Sequence, residues 1–370
     1  MKIWIATGGT GGHVFPALSV ASALVRRGHR VTLSTDGRVL DMVRNNKPAQ
    51  SGIAFIWASG VGAKSRVLQA YAIFKISVSA IALVLRFMIF RPDRVVSFGG
   101  YASVPAVIAA RIWNVPTFLH EQNAAIGRAN SFALRWVGTL MTSFPDVAGT
   151  GCKARGAECK LRIVYTGLPV RQEFINSGLS GPARSRVRAG ARPGMAQDLR
   201  LLVTGGSQGA TILDEIVPKA AAALSAALKK KLFVVHQTRP DAVERLRAFY
   251  EKSGVRANVL SFIHDMAGEM RASDLVIGRS GASTVIELQT IGKAAILVPL
   301  NINPDQAANA AAFAKTGGGF NIAQVKFTEK WLAATLSELF ENPARLSKMA
   351  EKSRVPNNAV ENIVDIIERK

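Results

Sequence analysis

Acidic, cysteine and aromatic residues are all scarce in this sequence, and each shortage narrows the reading. The chain carries 25 Asp and Glu against 47 Lys and Arg, a formal net charge of +22 at pH 7. That imbalance favours polyanionic partners: nucleic acid, an anionic membrane surface or phosphorylated substrates. Aromatics make up only 7% of residues, and no basic stripe is interleaved with them, which argues against a nucleic-acid binder. The two cysteines, Cys152 and Cys159, lie in a polar stretch without His or Cys partners. Their spacing is not that of a zinc site and two thiols make no disulfide framework, so both read as incidental and no metal is expected.

Long uninterrupted apolar runs are missing as well. The most apolar stretch, residues 67–90, is broken by Lys75 and Arg86 and flanked by Lys64, Arg66, Arg91 and Arg94. A membrane span wants roughly 20 apolar residues without charge. The stretch therefore reads either as a core helix or as a helix lying in a lipid interface with its basic residues on anionic headgroups. The N-terminus shows no signal peptide, since a strand and a glycine turn begin at once, and the chain is expected to be cytosolic.

What is present is a repeated opening. Ile3 to Ala6 is a short apolar run, the mark of a buried parallel strand. Gly8-Gly9-Thr10-Gly11-Gly12-His13 follows, and then a periodic apolar helix. Near residue 200 the pattern recurs: strand Leu201-Leu202-Val203, turn Gly205-Gly206-Ser207-Gln208-Gly209, then a helix. Strand, glycine turn and helix together aim free N–H groups and a helix dipole at an anion. Two such openings in 370 residues, with strands and helices alternating after each, predict two doubly wound parallel α/β domains. Asp36, at the end of the second strand, suits the ribose acid of a dinucleotide site. The glycines disagree, because G-x-G-x-x-G started at Gly9 needs glycine or alanine at Val14, and started at Gly8 needs glycine at Thr10. A redox reading is therefore weak.

Three polar segments, residues 8–13, 99–101 and 120–123, follow apolar strands and are expected on one sheet edge, where α/β folds place ligands. A Gly/Arg/Pro-rich run over residues 177–198 reads as linker.

Seven segments then match one family in order. Gly8-Gly9-Thr10-Gly11-Gly12-His13, Ser97-Phe98-Gly99-Gly100-Tyr101, His120-Glu121-Gln122-Asn123, Pro169-Val170-Arg171, Gly205-Gly206-Ser207-Gln208-Gly209-Ala210, Arg279-Ser280-Gly281-Ala282 and Asp305-Gln306-x-x-Asn309 resemble the MurG family. Its members move N-acetylglucosamine from its UDP ester to lipid I in peptidoglycan synthesis. The resemblance spans essentially the whole chain. It implies a GT-B fold: two Rossmann-like domains facing a cleft, residues 1–167 for the acceptor and membrane, residues 168–352 for the UDP-sugar, and a helix at about 353–370 packing back on the first. It also implies an inverting, single-displacement transfer giving a β-1,4 link, without cofactor or metal.

By the same resemblance Ser207 and the helix start at Ala282, Ser283 and Thr284 hold the donor diphosphate, and Glu287 grips the ribose. Ile263 meets the uracil through its backbone, Gln306 and Asn309 take the sugar hydroxyls, and Arg171 completes the site. Thr10, Gly11, Gly12 and Asn123 reach the donor from the opposite domain on closure. Gly8, Gly9, Gly99, Gly100 and Tyr101 cradle the acceptor diphosphate. His13 leads as general base, the other reading being a histidine that caps the turn or binds phosphate, and Glu121 is the second candidate base. Residues 67–94 would dock the enzyme on the cytoplasmic face of the bacterial inner membrane. Further candidate partners are cell-wall and division proteins.

Two departures stand out: Leu168 where the family usually has Asn, and residues 301–304, which lack the usual charges. The competing readings are a GT-B transferase with another lipid acceptor such as diacylglycerol, a UDP-N-acetylglucosamine 2-epimerase, and a basic nucleic-acid-binding protein.

Overall fold

A computed structural model describes residues 1–59, 65–149, 161–175, 199–206 and 209–369. Both cysteines, the run at 177–198, and Ser207 and Gln208 lie outside the described residues. The chain forms two compact units, residues 1–171 with 357–370, and residues 172–356.

The first unit runs β1 (Lys2–Ala6), α1 (Gly11–Arg26), β2 (Arg30–Thr35), α2 (Leu40–Asn46), β3 (Gly52–Phe55), α3 (Arg66–Ile89), β4 (Arg94–Ser97), α4 (Val104–Ile112), β5 (Thr117–Glu121), α5 (Arg128–Ala133), β6 (Thr139–Thr142) and β7 (Arg162–Tyr165). The second runs α6 (Gln172–Ile175), β8 (Leu199–Thr204), α7 (Thr211–Ala222), α8 (Ala226–Lys231), β9 (Leu232–Gln237), α9 (Val243–Lys252), β10 (Arg256–Leu260), α10 (Met266–Ala272), β11 (Leu275–Gly278), α11 (Ala282–Ile291), β12 (Ala295–Leu297), α12 (Pro304–Lys315), β13 (Gly319–Asn321), α13 (Glu329–Glu341) and α14 (Pro343–Ser353). Helix α15 (Ala359–Glu368) belongs to the first unit again.

All strand pairs are parallel, in the orders β3-β2-β1-β4-β5-β6-β7 and β10-β9-β8-β11-β12-β13. In both sheets the order reverses beside the strand that precedes the glycine turn, β1 against β4 and β8 against β11. Ligands of open α/β sheets collect at that switch point, beyond the carboxyl ends of the strands. Three short strands, β3, β6 and β13, are not expected from the apolar runs of the sequence.

The alternation of β1 shows why both of its faces must be covered. Ile3 and Ile5 join α1 and α15 in one core, whereas Trp4 and Ala6 join α3 and α4 in another. Helix α15 supplies Ile363, Val364, Ile366 and Ile367 to the first of these cores. Its polar side is tied to the end of α1 and the turn after it: Arg27 pairs with Asp365 and Glu368 at 2.7 Å, and His29 with Glu368 at 2.6 Å.

Helix α3 is the exception to this economy. It is long and apolar enough to cross a membrane by length and composition, yet only 28% of its most apolar window is buried. Ala72, Ser79, Ala80, Leu83 and Phe87 form the inward stripe. Ser79 Oγ exchanges hydrogen bonds with the backbone of Trp57, and the Trp113 indole donates to the Val84 carbonyl at 2.9 Å. Val67, Leu68, Ile73, Phe74, Ile81, Leu85, Met88 and Ile89 are exposed. The core-helix reading thus holds for one stripe, and the rest of the helix needs another account.

Truncating Ile367 to Ala should lower the unfolding free energy of the full chain by roughly 2–5 kcal/mol, the cost of a large-to-small change in a packed core. Arg27→Ala should leave the same urea transition nearly unmoved, because its ion pairs are solvent-exposed. Equal effects from the two changes would mean that charge, not burial, holds α15 in place.

Candidate active site

At the switch point of the first sheet two glycine turns lie against each other. Gly99 and Gly100 have φ of +83° and +78°, and a Cβ on Gly100 would stand 2.7 Å from the Gly8 carbonyl oxygen. No side chain fits there, so the two turns form one continuous backbone surface. Thr10 is the N-cap of α1 with no side-chain cap bond, and Gly11 and Gly12 open the helix. Their amides belong to the helix-end N–H groups that an anion can satisfy. Tyr101 follows in a short 3-10 turn and is half-buried.

His13 is half-buried on the first turn of α1, and its Nδ1 lies 3.0 Å from the Gly8 carbonyl oxygen. A carbonyl only accepts, so Nδ1 carries the proton and the neutral ring has its lone pair on Nε2. That tautomer is the one a general base needs. The geometry shows the ring bracing the turn through Nδ1.

Glu121, the second candidate base, has a different occupation. Its Oε1 accepts from the Asn123 amide N–H at 2.9 Å, and its Oε2 from the Gly127 N–H at 3.0 Å and the Asn130 side chain at 2.7 Å. The carboxyl is 1% exposed, and burial pushes its pKa up against the pull of these donors. It holds residues 122–130 in shape, with the Asn123 side chain at 3.3 Å among its partners. Asn130, which no sequence motif singles out, also packs against Gly99.

His120 lies wholly inside, with Nε2 2.9 Å from the Gly167 carbonyl. Burial lowers its pKa to about 4, the Gly167 hydrogen bond opposes that, and the charge of nearby His13 adds to it.

The second unit repeats the arrangement. Gly206 and Gly209 have positive φ, and a Cβ on Gly205 would meet the Ala210 nitrogen at 2.4 Å. The Gly206 N–H reaches Thr204 Oγ1, whose hydroxyl donates to Gln237 on β9 at 2.7 Å, bracing the turn from beneath. Across the switch point α11 starts at Ala282 with no side-chain cap bond and no acid in its first turn. Ala282, Ser283 and Thr284 are half-buried there, and Glu287 lies buried one turn further on.

Several residues of the matching segments are held by hydrogen bonds within the fold. Arg279 donates to the carbonyls of Val298 and Pro299 and to Gln324, so it props up the turn. Burial lowers its pKa. Asn309, expected on the sugar hydroxyls, is fully buried and donates to the Ser280 carbonyl at 3.1 Å. It ties α12 to the turn. Gln306 is half-buried, with its oxygen accepting from Leu300 N at 3.0 Å, so its NH2 group is what it can offer a hydroxyl. Ile263 is buried in the loop after β10, beside exposed Phe262. Arg171 is half-buried and is the last residue of the first unit's main segment. Leu168 is fully buried, and its carbonyl takes a hydrogen bond from Asn357 at 3.0 Å. Among the described residues no cluster of three or more His, Cys, Asp or Glu could hold a metal ion.

With this geometry in place, comparison with known proteins becomes informative. Residues 3–142 match the glycosyltransferase family 28 N-terminal domain and residues 200–369 the glycosyltransferase family 28 C-terminal domain. A protein of Methylobacterium radiotolerans named UDP-N-acetylglucosamine--N-acetylmuramyl-(pentapeptide) pyrophosphoryl-undecaprenol N-acetylglucosamine transferase is 39% identical over 99% of this chain and 96% of its own length. One of the same name from Rhodospirillum rubrum is 40% identical over 99% of this chain and 91% of its own. The crystal structure of Acinetobacter baumannii MurG superposes with a TM-score of 0.79 at 30% identity, covering 100% of this chain and 99% of that one. A putative UDP-N-acetylglucosamine 2-epimerase from Listeria monocytogenes, 12% identical with a TM-score of 0.66 over 98% of this chain and 94% of its own, shares the fold.

The His120 shift has a sign that can be measured. Between pH 4 and about 6.5 the unfolded chain binds a proton at this position that the folded chain refuses. Stability should therefore fall as pH drops through that window, by about 3 kcal/mol in all. His120→Gln, which keeps a donor for Gly167 but does not titrate, should flatten this part of the profile in urea titrations. An unchanged slope would assign the acid sensitivity to other groups.

Proposed function

The chain belongs to glycosyltransferase family 28, in the branch of the MurG transferases, and from that premise we propose that it moves N-acetylglucosamine from UDP-N-acetylglucosamine to the C4 hydroxyl of N-acetylmuramoyl-pentapeptide on undecaprenyl diphosphate. The observation that carries the mechanism is the Nδ1 contact of His13 with the Gly8 carbonyl. The acceptor hydroxyl oxygen attacks the anomeric carbon as the bond from that carbon to the β-phosphate oxygen breaks. The hydroxyl proton passes to His13 Nε2, and UDP leaves with the bonding electron pair. Attack opposite the leaving group inverts the α-linked donor to a β-1,4 product.

Charge grows on the departing diphosphate, and oriented amides stabilise it best where they need not reorganise. The uncapped start of α11 at Ala282, Ser283 and Thr284 suits that task, and the family resemblance adds Ser207 to it. Glu287, one turn along, takes the ribose in this reading, Ile263 the uracil and Gln306 the sugar. Asn309 acts through the turn it braces. Arg171, Thr10, Gly11, Gly12 and Asn123 complete donor binding. The joined turns at Gly8, Gly9, Gly99, Gly100 and Tyr101 receive the acceptor diphosphate. Glu121 shapes the segment that carries Asn123 and does not take the proton.

The acceptor lies in a membrane, and the exposed apolar side of α3 supports peripheral attachment at the cytoplasmic face of the inner membrane. Lys75, over the Tyr71 ring at 4.3 Å, and Arg86 lie on the same helix for anionic headgroups.

Labelled sugar should appear on a lipid I analogue and not on diacylglycerol. His13→Ala should slow transfer by roughly 100- to 10,000-fold, the usual worth of a positioned base. Glu121→Gln should cost far less turnover. Product on diacylglycerol alone would overturn the acceptor assignment, and an unimpaired His13→Ala would remove the base. In a separate assay, Phe74→Glu with Ile81→Glu should abolish cosedimentation with anionic vesicles. Transfer to a water-soluble acceptor should survive that change, and undiminished vesicle binding would dismiss α3 as the anchor.

A further inference from the structure

Asp36 and Arg38 have no part in any motif that pointed to the transferase, yet they sit on the acceptor turn. Asp36 directly follows β2, which pairs with β1, and its side chain is 1% exposed. A Cβ on Gly8 would stand 3.1 Å from Asp36 Oδ2, so the carboxylate lies directly under the first glycine turn. Its oxygens accept from the Arg38 backbone N–H at 3.0 Å, from Nε at 3.3 Å and from Nη2 at 2.6 Å. The acid thus aims the guanidinium through two points of its fork, which fixes the plane as well as the position.

That plane is set over Gly9. A point one bond above the Gly9 α-carbon lies 3.8 Å from Arg38 Nη2 and 3.7 Å from His13 Nδ1. Gly9 has φ of +91°, so the space is kept open by a conformation that side chains rarely adopt. Arg38 itself is half-exposed, and among the described residues only Asp36 engages it. The outer N–H groups of the fork therefore remain for a further acceptor. A neutral cradle of amides gains here the one element it lacked, a cation of fixed orientation.

The geometry points to Arg38 as a ligand of the acceptor's diphosphate, held in place by Asp36 as a positioning residue. The inference rests on the acceptor reading given above and adds a charged contact to it. Guanidinium suits a phosphate because two parallel N–H groups match two oxygens, and because it remains protonated throughout turnover. A buried aspartate below and an anion above leave Arg38 between two negative groups, a better balance than either pair alone. The donor's diphosphate is the same chemistry from another source, and the two are separable by experiment.

The direct test is calorimetric titration of the full chain with geranyl diphosphate, which carries the diphosphate without sugar or long lipid. Arg38→Gln should weaken its binding about 10- to 100-fold, the loss of a charge-assisted contact. Asp36→Asn, which keeps the cation but frees its plane, should weaken it less. Because Arg38→Gln leaves a buried carboxylate without its partner, the double change Asp36→Asn/Arg38→Gln serves as the folding control. It should melt like the parent and still bind poorly. In steady-state transfer with a short-chain soluble lipid I analogue, Arg38→Gln should raise KM for the acceptor by a similar factor and leave KM for UDP-N-acetylglucosamine unchanged. Equal geranyl diphosphate affinity in parent and Arg38→Gln overturns the proposal, as does a parent that transfers but binds none. A rise in KM for the donor alone overturns it too, by handing Arg38 to UDP. Arg38-dependent binding in a parent that fails to transfer to lipid I would instead fault the acceptor sugar and leave the phosphate site standing.

Discussion

The backbone of Gly100 approaches the carbonyl oxygen of Gly8 so closely that a Cβ there would stand 2.7 Å from it. This approach sets the rest of the first half-site. It follows from β1 and β4 being neighbours at the point where strand order reverses, which delivers both glycine turns to the same place. Once the turns touch, the Gly8 carbonyl is fixed, and it fixes His13 through Nδ1. Gly8 also meets Ala102 and Asp36, since a Cβ on it would lie 2.6 Å from one and 3.1 Å from the other. A single backbone position thereby sets the tautomer of His13, the seat of Asp36 under the turn and, through that acid, the aim of Arg38.

Buried polar groups do the bracing around both turns. Glu121 gathers four donors from the segment after β5, and the Thr204–Gln237 pair supports the second glycine turn. Asn309 and Arg279 fasten the turn before α11 to the strands and helices beside it. A buried polar group without a partner is costly, so each of these contacts specifies one loop shape against its alternatives. Such bracing suits a site that must present amides already oriented, because catalysis by preorganised dipoles fails if the dipoles must be gathered at the moment of reaction.

Much of this was legible in the residues. Doubly buried strands announce themselves as apolar runs, and strand–glycine–helix openings carry their own geometry, so two parallel α/β units and the ligand edge of the first are legible, whereas the strand order and the short strands β3, β6 and β13 are not. What was hidden is how a polar side chain is used once the chain is folded. Glu121 and Asn309 are chemically suited to catalysis and sugar binding, and only their hydrogen-bond partners reveal them as braces. The signal for Arg38 was present, a cation two residues after an acid at a strand end, but Asp36 drew attention as a ribose ligand and its neighbour did not. Leu168 is wholly buried, and Asn357 donates a hydrogen bond to its carbonyl.

Helix α3 poses the opposite problem, because its apolar character was plain and its placement was not. A helix that buries one narrow stripe while exposing Phe74, Ile81, Leu85 and Met88 is poorly explained by the core it touches. Contiguous apolar surface of that kind marks a contact with something else. The charges on the same helix narrow the choice. Lys75 lies over the Tyr71 and Trp57 rings and Arg86 over the Trp4 ring, so each long side chain follows apolar surface with its charged end near an aromatic face. Such side chains keep their stems in an apolar layer and their heads at its polar boundary. The lipid interface proposed above, with anionic headgroups at its edge, fits both halves of that pattern better than a purely apolar protein partner, which would leave the cations without counter-charge.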